Sequence, residues 1–419
     1  MNKPMNVRSQ ISSEVDASTE RLLGMARSLV AAASPNPPGD VTQVAAAAFA
    51  LLSSIPNVTI ERHETAPGIV NLVARIDSSK PGRRLIFNGH LDTFPVGEDM
   101  GWTVPPLGGN VKEGRIYGRG ISDMKGGIAA SLLASEILAR NPAAWRGEIV
   151  ITLAGDEETM GSLGTRWLLD NVPYAHGDAM ICGDVGSPSV VRFGEKGLFW
   201  IEVEALGNPA HGAHVHNGVN AIDRLRAALD ALKQLEQIPV VLPDDVESTI
   251  EAAKPISELI SGAGEANTLR HITVNIGVIE GGVSPNLVPT RAIAKVDIRV
   301  PVGITTKLLE DNLKARLGKL DGVSWRIIQR AEARFTDPTH EIVQRVVKAA
   351  TEVLGKAPAL NMRVGASDAR LYRLFGIPSV VYGPTPFGMG GPDEHVLVEE
   401  LVAVAKVHAL AAFDFLSTS

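Results

Sequence analysis

His90, Asp92, Asp123, Glu157, Glu158 and Asp184 follow one another at or just beyond the ends of apolar, strand-like runs. One imidazole and several carboxylates gathered by a sheet make a hard divalent-metal site with a spare acid beside it, which is the equipment of a hydrolase. His90 and Asp92 close the run Leu85-Ile86-Phe87-Asn88-Gly89-His90-Leu91-Asp92 two residues apart. In extended chain they share a face, so Asp92 can orient the imidazole while the other ring nitrogen takes a metal. A polar strand end with a satisfied histidine explains the same residues equally well.

Asp123 lies in the glycine-dense Gly118-Arg119-Gly120-Ile121-Ser122-Asp123-Met124-Lys125-Gly126-Gly127, just before a helical segment. The spacing fits neither the dinucleotide nor the Walker fingerprint. Asp123 there can bridge two metals or serve as a plain helix cap. Asp156, Glu157 and Glu158 repel one another unless a cation or separation relieves them. Glu158 as ligand with Glu157 taking a proton from the attacking water is the useful arrangement; a solvated acidic turn is the bland one. Cys182, two residues before Asp184 on an apolar run, reads as core. His211, His214 and His216 could form a zinc cluster, but their position in a second run of elements argues for substrate contact.

The elements that must position these groups are legible in outline. Strand-like runs at 58–62, 69–76, 84–88, 148–154 and 179–182 alternate with helical segments at 126–139 and 162–169, as in an α/β sheet covered on both faces. Ligands in such sheets gather at the carboxyl ends of strands. From residue 197 a β-α-β-β-α-β rhythm predicts a small sheet with helices on one face, with 237–268 as a loop or short helical excursion within it. The first rhythm resumes near residue 332. The expected organisation is a catalytic domain in two parts, 1–195 and 332–419, split by an inserted domain at 196–331.

A chain of 419 residues, 45% hydrophobic, has ample core for two or three domains. The net charge of −7 without a long basic run argues against a nucleic-acid partner and favours a small-molecule substrate. One cysteine excludes an internal disulfide framework and fits a reducing compartment. Residues 1–13 are polar, with no export signal in view, and the Ala-rich stretch 44–52 is too short to span a bilayer. The expectation is a cytoplasmic enzyme without a membrane partner.

Taken in order, from Ser34-Pro35-Asn36-Pro37-Pro38-Gly39 to Gly391-Pro392-Asp393-Glu394, these motifs resemble one family. It is that of the metal-dependent amidohydrolases and peptidases including acetylornithine deacetylase, succinyl-diaminopimelate desuccinylase, aminoacylase and carboxypeptidase G. The resemblance implies a zinc-peptidase-like α/β catalytic domain, a mixed sheet between helices, plus an inserted ferredoxin-like α+β lid through which subunits dimerise or assemble further. It also implies two zinc or two manganese ions, with His90 and Asp184 on one, Asp123 bridging and Glu158 on the other. Glu157 would be the base, Asp92 would orient His90, and the Asp123–Met124 peptide would be cis. His211 would reach the partner's site to stabilise an oxyanion, and Asn286, Arg299 and Ser367 would hold substrate, with His214 and His216 nearby.

Three positions depart from that pattern. The expected histidine four residues before Glu394 is Gly390, so either His395 replaces it or the second metal binds weakly or not at all, leaving one ion per subunit. Asp184 stands where many relatives have Glu, and Val215 where many have Pro. The leading expectation is hydrolysis of a C–N bond in an N-acyl amino acid or small peptide. Two alternatives stand beside it: an aminohydrolase of an aryl amine such as a nitroanthranilate, and a non-catalytic relative that binds a small molecule.

Overall fold

The computed structural model describes residues 7–97 and 101–417. Residues 1–6 of the polar N-terminal stretch lie outside the described residues; the remainder opens the helix Val7–Ala17. Among the described residues nine strands form one mixed sheet. Its main path runs Val58–Ala66, Ile69–Asp77, Glu148–Ala154, Arg84–His90, Ala179–Cys182, Ser379–Val381, Val190–Glu195 and Arg334–Phe335, and Ala359–Arg363 pairs alongside Val190–Glu195.

The centre of this sheet is what positions the chemistry. Arg84–His90 runs parallel to Glu148–Ala154 on one side and to Ala179–Cys182 on the other. In register, His90 lies opposite Ala154 and Asn88 opposite Cys182, so three carboxyl ends finish almost level. These strands are buried along nearly their whole length, which is why they read as unbroken apolar runs rather than alternating ones. The helix Gly126–Ala139, buried at every residue, packs on Arg84–His90 and on the closing helix Val398–Leu416.

A second, four-stranded antiparallel sheet has its own core of Phe199, Ile201, Val203, Leu225, Ile298, Leu309 and Leu313. Its strands, in spatial order, are Thr273–Gly281, Arg291–Val300, Gly197–Leu206 and Val323–Ala331, with Ala221–Lys233 and Thr306–Leu317 packed against them. Taking these four strands in chain order, the spatial arrangement is second, third, first, fourth: the ferredoxin-like arrangement expected.

The segment 237–268 differs from expectation. It holds two helices, Asp244–Ser261 and Glu265–Arg270, and Val246, Ile250, Ala266 and Leu269 join the core of the large sheet, not the small one. Buried Val246, Ile250, Ala253 and Ser257 lie four, three and four residues apart, one helical face that the Pro, Ser and acidic content obscured. No helix among the described residues is long and apolar enough to cross a membrane.

Candidate active site

Close backbone packing brings Asp123 to the strand ends. A Cβ on Gly127 would fall 1.8 Å from the carbonyl oxygen of Gly183, so only glycine lets the first turn of the helix Gly126–Ala139 rest on the turn after Ala179–Cys182. Asp123, three residues before that helix, thereby meets Asp184. The Asp123–Met124 peptide is cis. Glu394 fastens the same loop: it accepts from Arg119 Nη1 at 2.7 Å and from Ser122 N and Oγ at 3.1 and 2.7 Å, all deep in the protein.

His90 is buried, with Nδ1 2.9 Å from the carbonyl oxygen of Asp92 and Nε2 3.0 Å from Asp123 Oδ1. A carbonyl only accepts, so Nδ1 carries a proton and Nε2 is the nitrogen aimed at the carboxylate. A neutral imidazole facing a carboxylate through a bare nitrogen is repulsive; either a proton or a cation must lie between. His90, Asp123 and Glu158 form the one group among the described residues whose donor atoms converge for a metal, all within 4.8 Å of one another. Glu158 Oε1 is buried without a hydrogen-bond partner. An orphaned, buried carboxylate oxygen beside an imidazole and a second carboxylate fits one divalent cation.

The Asp92 carboxylate is a hub. It accepts from Glu157 N at 3.1 Å, Glu158 N at 3.0 Å and Asn36 Nδ2 at 2.8 Å, and its Oδ1 is 3.5 Å from His90 Nδ1. Asp184 Oδ2 accepts from Arg363 Nη1 at 2.8 Å, and its Oδ1 accepts from the amide of Val185. Glu157 Oε1 lies 3.5 Å from Arg370 Nη1.

The titration of the cluster without a cation follows from this crowding. Burial, then the charges of Asp368 and Asp184, push Glu157 up to about 8 against the opposing pull of His90 and Arg370. Burial, then Asp123, Glu157 and Asp92, push Glu158 up to about 9. Burial alone would raise the Asp123 carboxyl, but its hydrogen bond to His90 and the nearby charges outweigh that and hold it below the ordinary range. Burial likewise disfavours the His90 imidazolium, yet its bonds to Asp123 and Asp92 raise it well above the usual histidine value. Protons therefore occupy this cluster where a cation is lacking.

Residues 86–414 match the family model for peptidase family M20/M25/M40. The chain belongs to that family. It is 30% identical over 346 residues to the succinyl-diaminopimelate desuccinylase of Rhodospirillum centenum, covering 81% of this chain and 82% of that one. The fold matches an M20 family metallo-carboxypeptidase from Sulfolobus solfataricus, with TM-score 0.80, 20% identity, and coverage of 94% of this chain and 99% of that one. It also matches human carnosine dipeptidase 1, with TM-score 0.78, 17% identity and 99% coverage of both. This M20 family chain is thus a metal-dependent hydrolase of carbon–nitrogen bonds.

Other anticipated residues lie elsewhere. His395 does not join the converging group: its ring stacks on Phe387 at 5.1 Å and tilts against Tyr117 at 4.8 Å, with Nδ1 2.8 Å from the Asp393 carbonyl. It pairs with Tyr117 in a separate small sheet. Ser367 is fully buried and donates to Glu195 Oε2 at 3.1 Å, so packing explains it without substrate. Arg299 donates to Asp297 Oδ2 at 2.9 Å on a strand of the small sheet. Asn286 accepts from Ser284 Oγ at 2.5 Å, and its carbonyl accepts from Gly212 N at 2.7 Å, which ties its loop to the turn after His211. His211, His214 and His216 are exposed, with ring centroids 6.0 Å apart in the tilted first pair and 5.9 Å apart in the edge-on second, and they do not converge as a metal group.

Sequence reasoning missed four neighbours of the cluster: Asn36, Arg363, Asp368 and Arg370. Asn36 sits within the Ser34–Gly39 motif already singled out, where its amide holds Asp92. Asp368 closes the Gly365-Ala366-Ser367-Asp368 loop, accepting from Thr165 Oγ1 at 2.7 Å, and burial pushes it up to about 6. Arg363 carried no local signal.

Proposed function

We propose that this protein hydrolyses the amide bond of an N-acyl amino acid or short peptide, using zinc or manganese and Glu157. What carries the reading is the convergence of His90, Asp123 and the unpartnered Glu158 Oε1 next to Glu157, a carboxylate with one long contact to Arg370. A divalent cation held by His90, Asp123 and Glu158 supplies Lewis acidity toward the scissile carbonyl and lowers the pKa of water. Glu157 takes the proton from the attacking water and passes it to the leaving amine. Asp92 fixes the backbone of both glutamates and the orientation of His90. His211, on the small sheet's loop, stabilises the oxyanion of a partner subunit, and the 196–331 unit acts as lid and dimerisation surface in a cytoplasmic homo-oligomer.

A cavity of about 270 Å³ lined by Val185, Val364, Pro386, Met389 and Ile260 together with the charged Arg192, Glu265 and Arg363, the last of which donates to Asp184, favours a second reading, aminohydrolysis of an aryl amine. The test is a panel of N-acyl amino acids, dipeptides and aryl amines, read by amine or ammonia release with wild type and Glu157→Gln. Turnover that depends on added metal and falls by about 10²–10⁴ in the variant supports the reading. Metal-dependent turnover that survives Glu157→Gln sinks the assignment of the base, and no turnover of any substrate sinks the enzyme.

A further inference from the structure

Resting on the hydrolase reading, we propose that Arg363 stands in for one cation of a two-metal centre, the one that Asp184 would share with His90. Its guanidinium neutralises Asp184, and the site binds one divalent ion, between His90, Asp123 and Glu158. The residues do not fit two ions held as the resemblance implies. Position 390 is a glycine whose carbonyl is engaged by Arg119 Nη2 at 3.1 Å, and His395 faces Tyr117 and Phe387. Asp184, which the resemblance places with His90 on the other ion, already gives one oxygen to Arg363 at 2.8 Å and the other to the Val185 amide and stands outside the converging group, so each implied ion lacks a ligand and the rest converge on one.

Arg363 is held in that position by its strand. Ala359–Arg363 pairs with Val190–Glu195 with a register shift between Asn361 and Met362, the kind of irregularity that re-aims the side chains after it. Buried partners pin the irregularity: Asn361 Nδ2 donates to Ser257 Oγ at 2.8 Å, and Arg192 Nη1 donates to the Met362 carbonyl at 2.7 Å. Arg192 in turn pairs with Glu265 at 3.0 Å, and Lys196 N donates to the Arg363 carbonyl at 3.1 Å. The helices at 244–261 and 265–270 thus brace the strand that delivers the guanidinium.

The chemistry then excludes a second ion. A guanidinium keeps its charge at any working pH and has no lone pair to ligate a metal. A divalent ion on Asp184 would lie within a few ångströms of that charge, which weakens binding by something on the order of 10³-fold or more at the effective dielectric of a protein interior.

Metal-stripped wild type, Gly390→His, Arg363→Met and the Arg363→Met/Gly390→His pair are titrated with Mn(II), counting bound ions by electron paramagnetic resonance and elemental analysis. A side chain at 390 would meet Phe94 at an ordinary 3.6 Å, but the φ of +73° there strains any L residue, so the folding of both His variants is verified before ions are counted. Wild type and Gly390→His are expected to bind one equivalent with the spectrum of an isolated ion. Arg363→Met alone is expected to bind one, since position 390 still offers no side chain, and the double variant two, with spin coupling. Two ions in wild type, or one in the folded double variant, overturns the proposal; if the double variant does not fold, the wild-type count decides. Two ions with Glu157-dependent turnover leaves the hydrolase reading standing, whereas no bound ion at all sinks both.

Discussion

Removing the cation leaves Glu157 and Glu158 to face each other, and the stability of the metal-free protein then falls as pH rises. Both carboxyls have an ordinary value of 4.5, and burial with neighbouring charge pushes them up to about 8 and about 9 in the folded chain. A folded pKa above the unfolded one means stability that is fully present below the unfolded value and lost as pH rises through the folded value. Between about pH 5.5 and 7.5 the folded state keeps both protons and the unfolded state neither. Each group then removes about 1.4 kcal/mol per pH unit, and the pair about 2.7. That slope depends on the window lying between the two sets of values, and not on how far above it the folded values sit.

Other groups titrate nearby. Burial pushes Asp156 up to about 7 and Asp368 up to about 6, which steepens the loss. Burial lowers His408 to about 4, which acts in the opposite sense up to its ordinary value of 6.5. The comparison that isolates the glutamates is therefore between chelator-treated wild type and Glu157→Gln/Glu158→Gln, each unfolded in urea across that pH range. The stability of wild type relative to the double variant is expected to fall by about 5 kcal/mol over the two units, and saturating zinc or manganese is expected to flatten the wild-type curve. Parallel metal-free curves would refute the reasoning, as would a wild-type slope that metal leaves unchanged.

Glu394→Gln removes the charge that faces the buried Arg119 while Gly390 and Gly391 carbonyls remain its partners, and breaking such a pair costs about 3–5 kcal/mol. A clear drop in melting temperature and looser metal binding are expected, because the amide keeps one acceptor oxygen for Arg119 or for Ser122 but turns its NH2 against the other, which loosens the Asp123 loop; an unchanged melting temperature would contradict this. Gly127→Ala forces a methyl into the Gly183 carbonyl, and is expected to destabilise by about 1–3 kcal/mol or more and to lower metal affinity by moving Asp123 away from His90 and Glu158. Metal affinity equal to wild type, measured by competition with a chelating dye, would show that this contact does not set the site.

The catalytic half of the molecule was legible wherever position along a strand decides the outcome. His90, Glu158 and Asp184 sit at or just past carboxyl ends of three neighbouring parallel strands, and full burial of those strands makes their ends easy to find. Arg363 was not legible because its strand, Ala359–Arg363, is short and carries a buried Asn361 in its middle, and its partner strand lies far earlier in the chain. The helix Asp244–Ser261 reads in sequence only as a loop or short helical excursion, for a different reason. Its apolar residues keep a helical period, but Pro255 and the acidic first turn gave the segment the composition of a loop. His395 was attractive by proximity to Glu394 alone, and the pairing of residues 395–397 with Arg115–Tyr117, which turns its ring away, is long-range.

Like side chains acquire unlike roles here through the partners they already have. Asp92 is surrounded by two backbone amides and the Asn36 amide, so its charge is committed to holding the turn that carries the glutamates. Asp184 is committed to Arg363 and the Val185 amide. Glu158 keeps an oxygen with no partner, and Glu157 keeps one long contact at 3.5 Å. A carboxylate whose hydrogen bonds are complete gains little from a cation or a proton, whereas an uncommitted one in a buried site is costly until something binds it. The degree of satisfaction is the physical ground for the proposed division of these acids into positioning group, ligand and base. It also explains why spacing alone could not divide the labour among them, since each reads in sequence as an acid near a strand end.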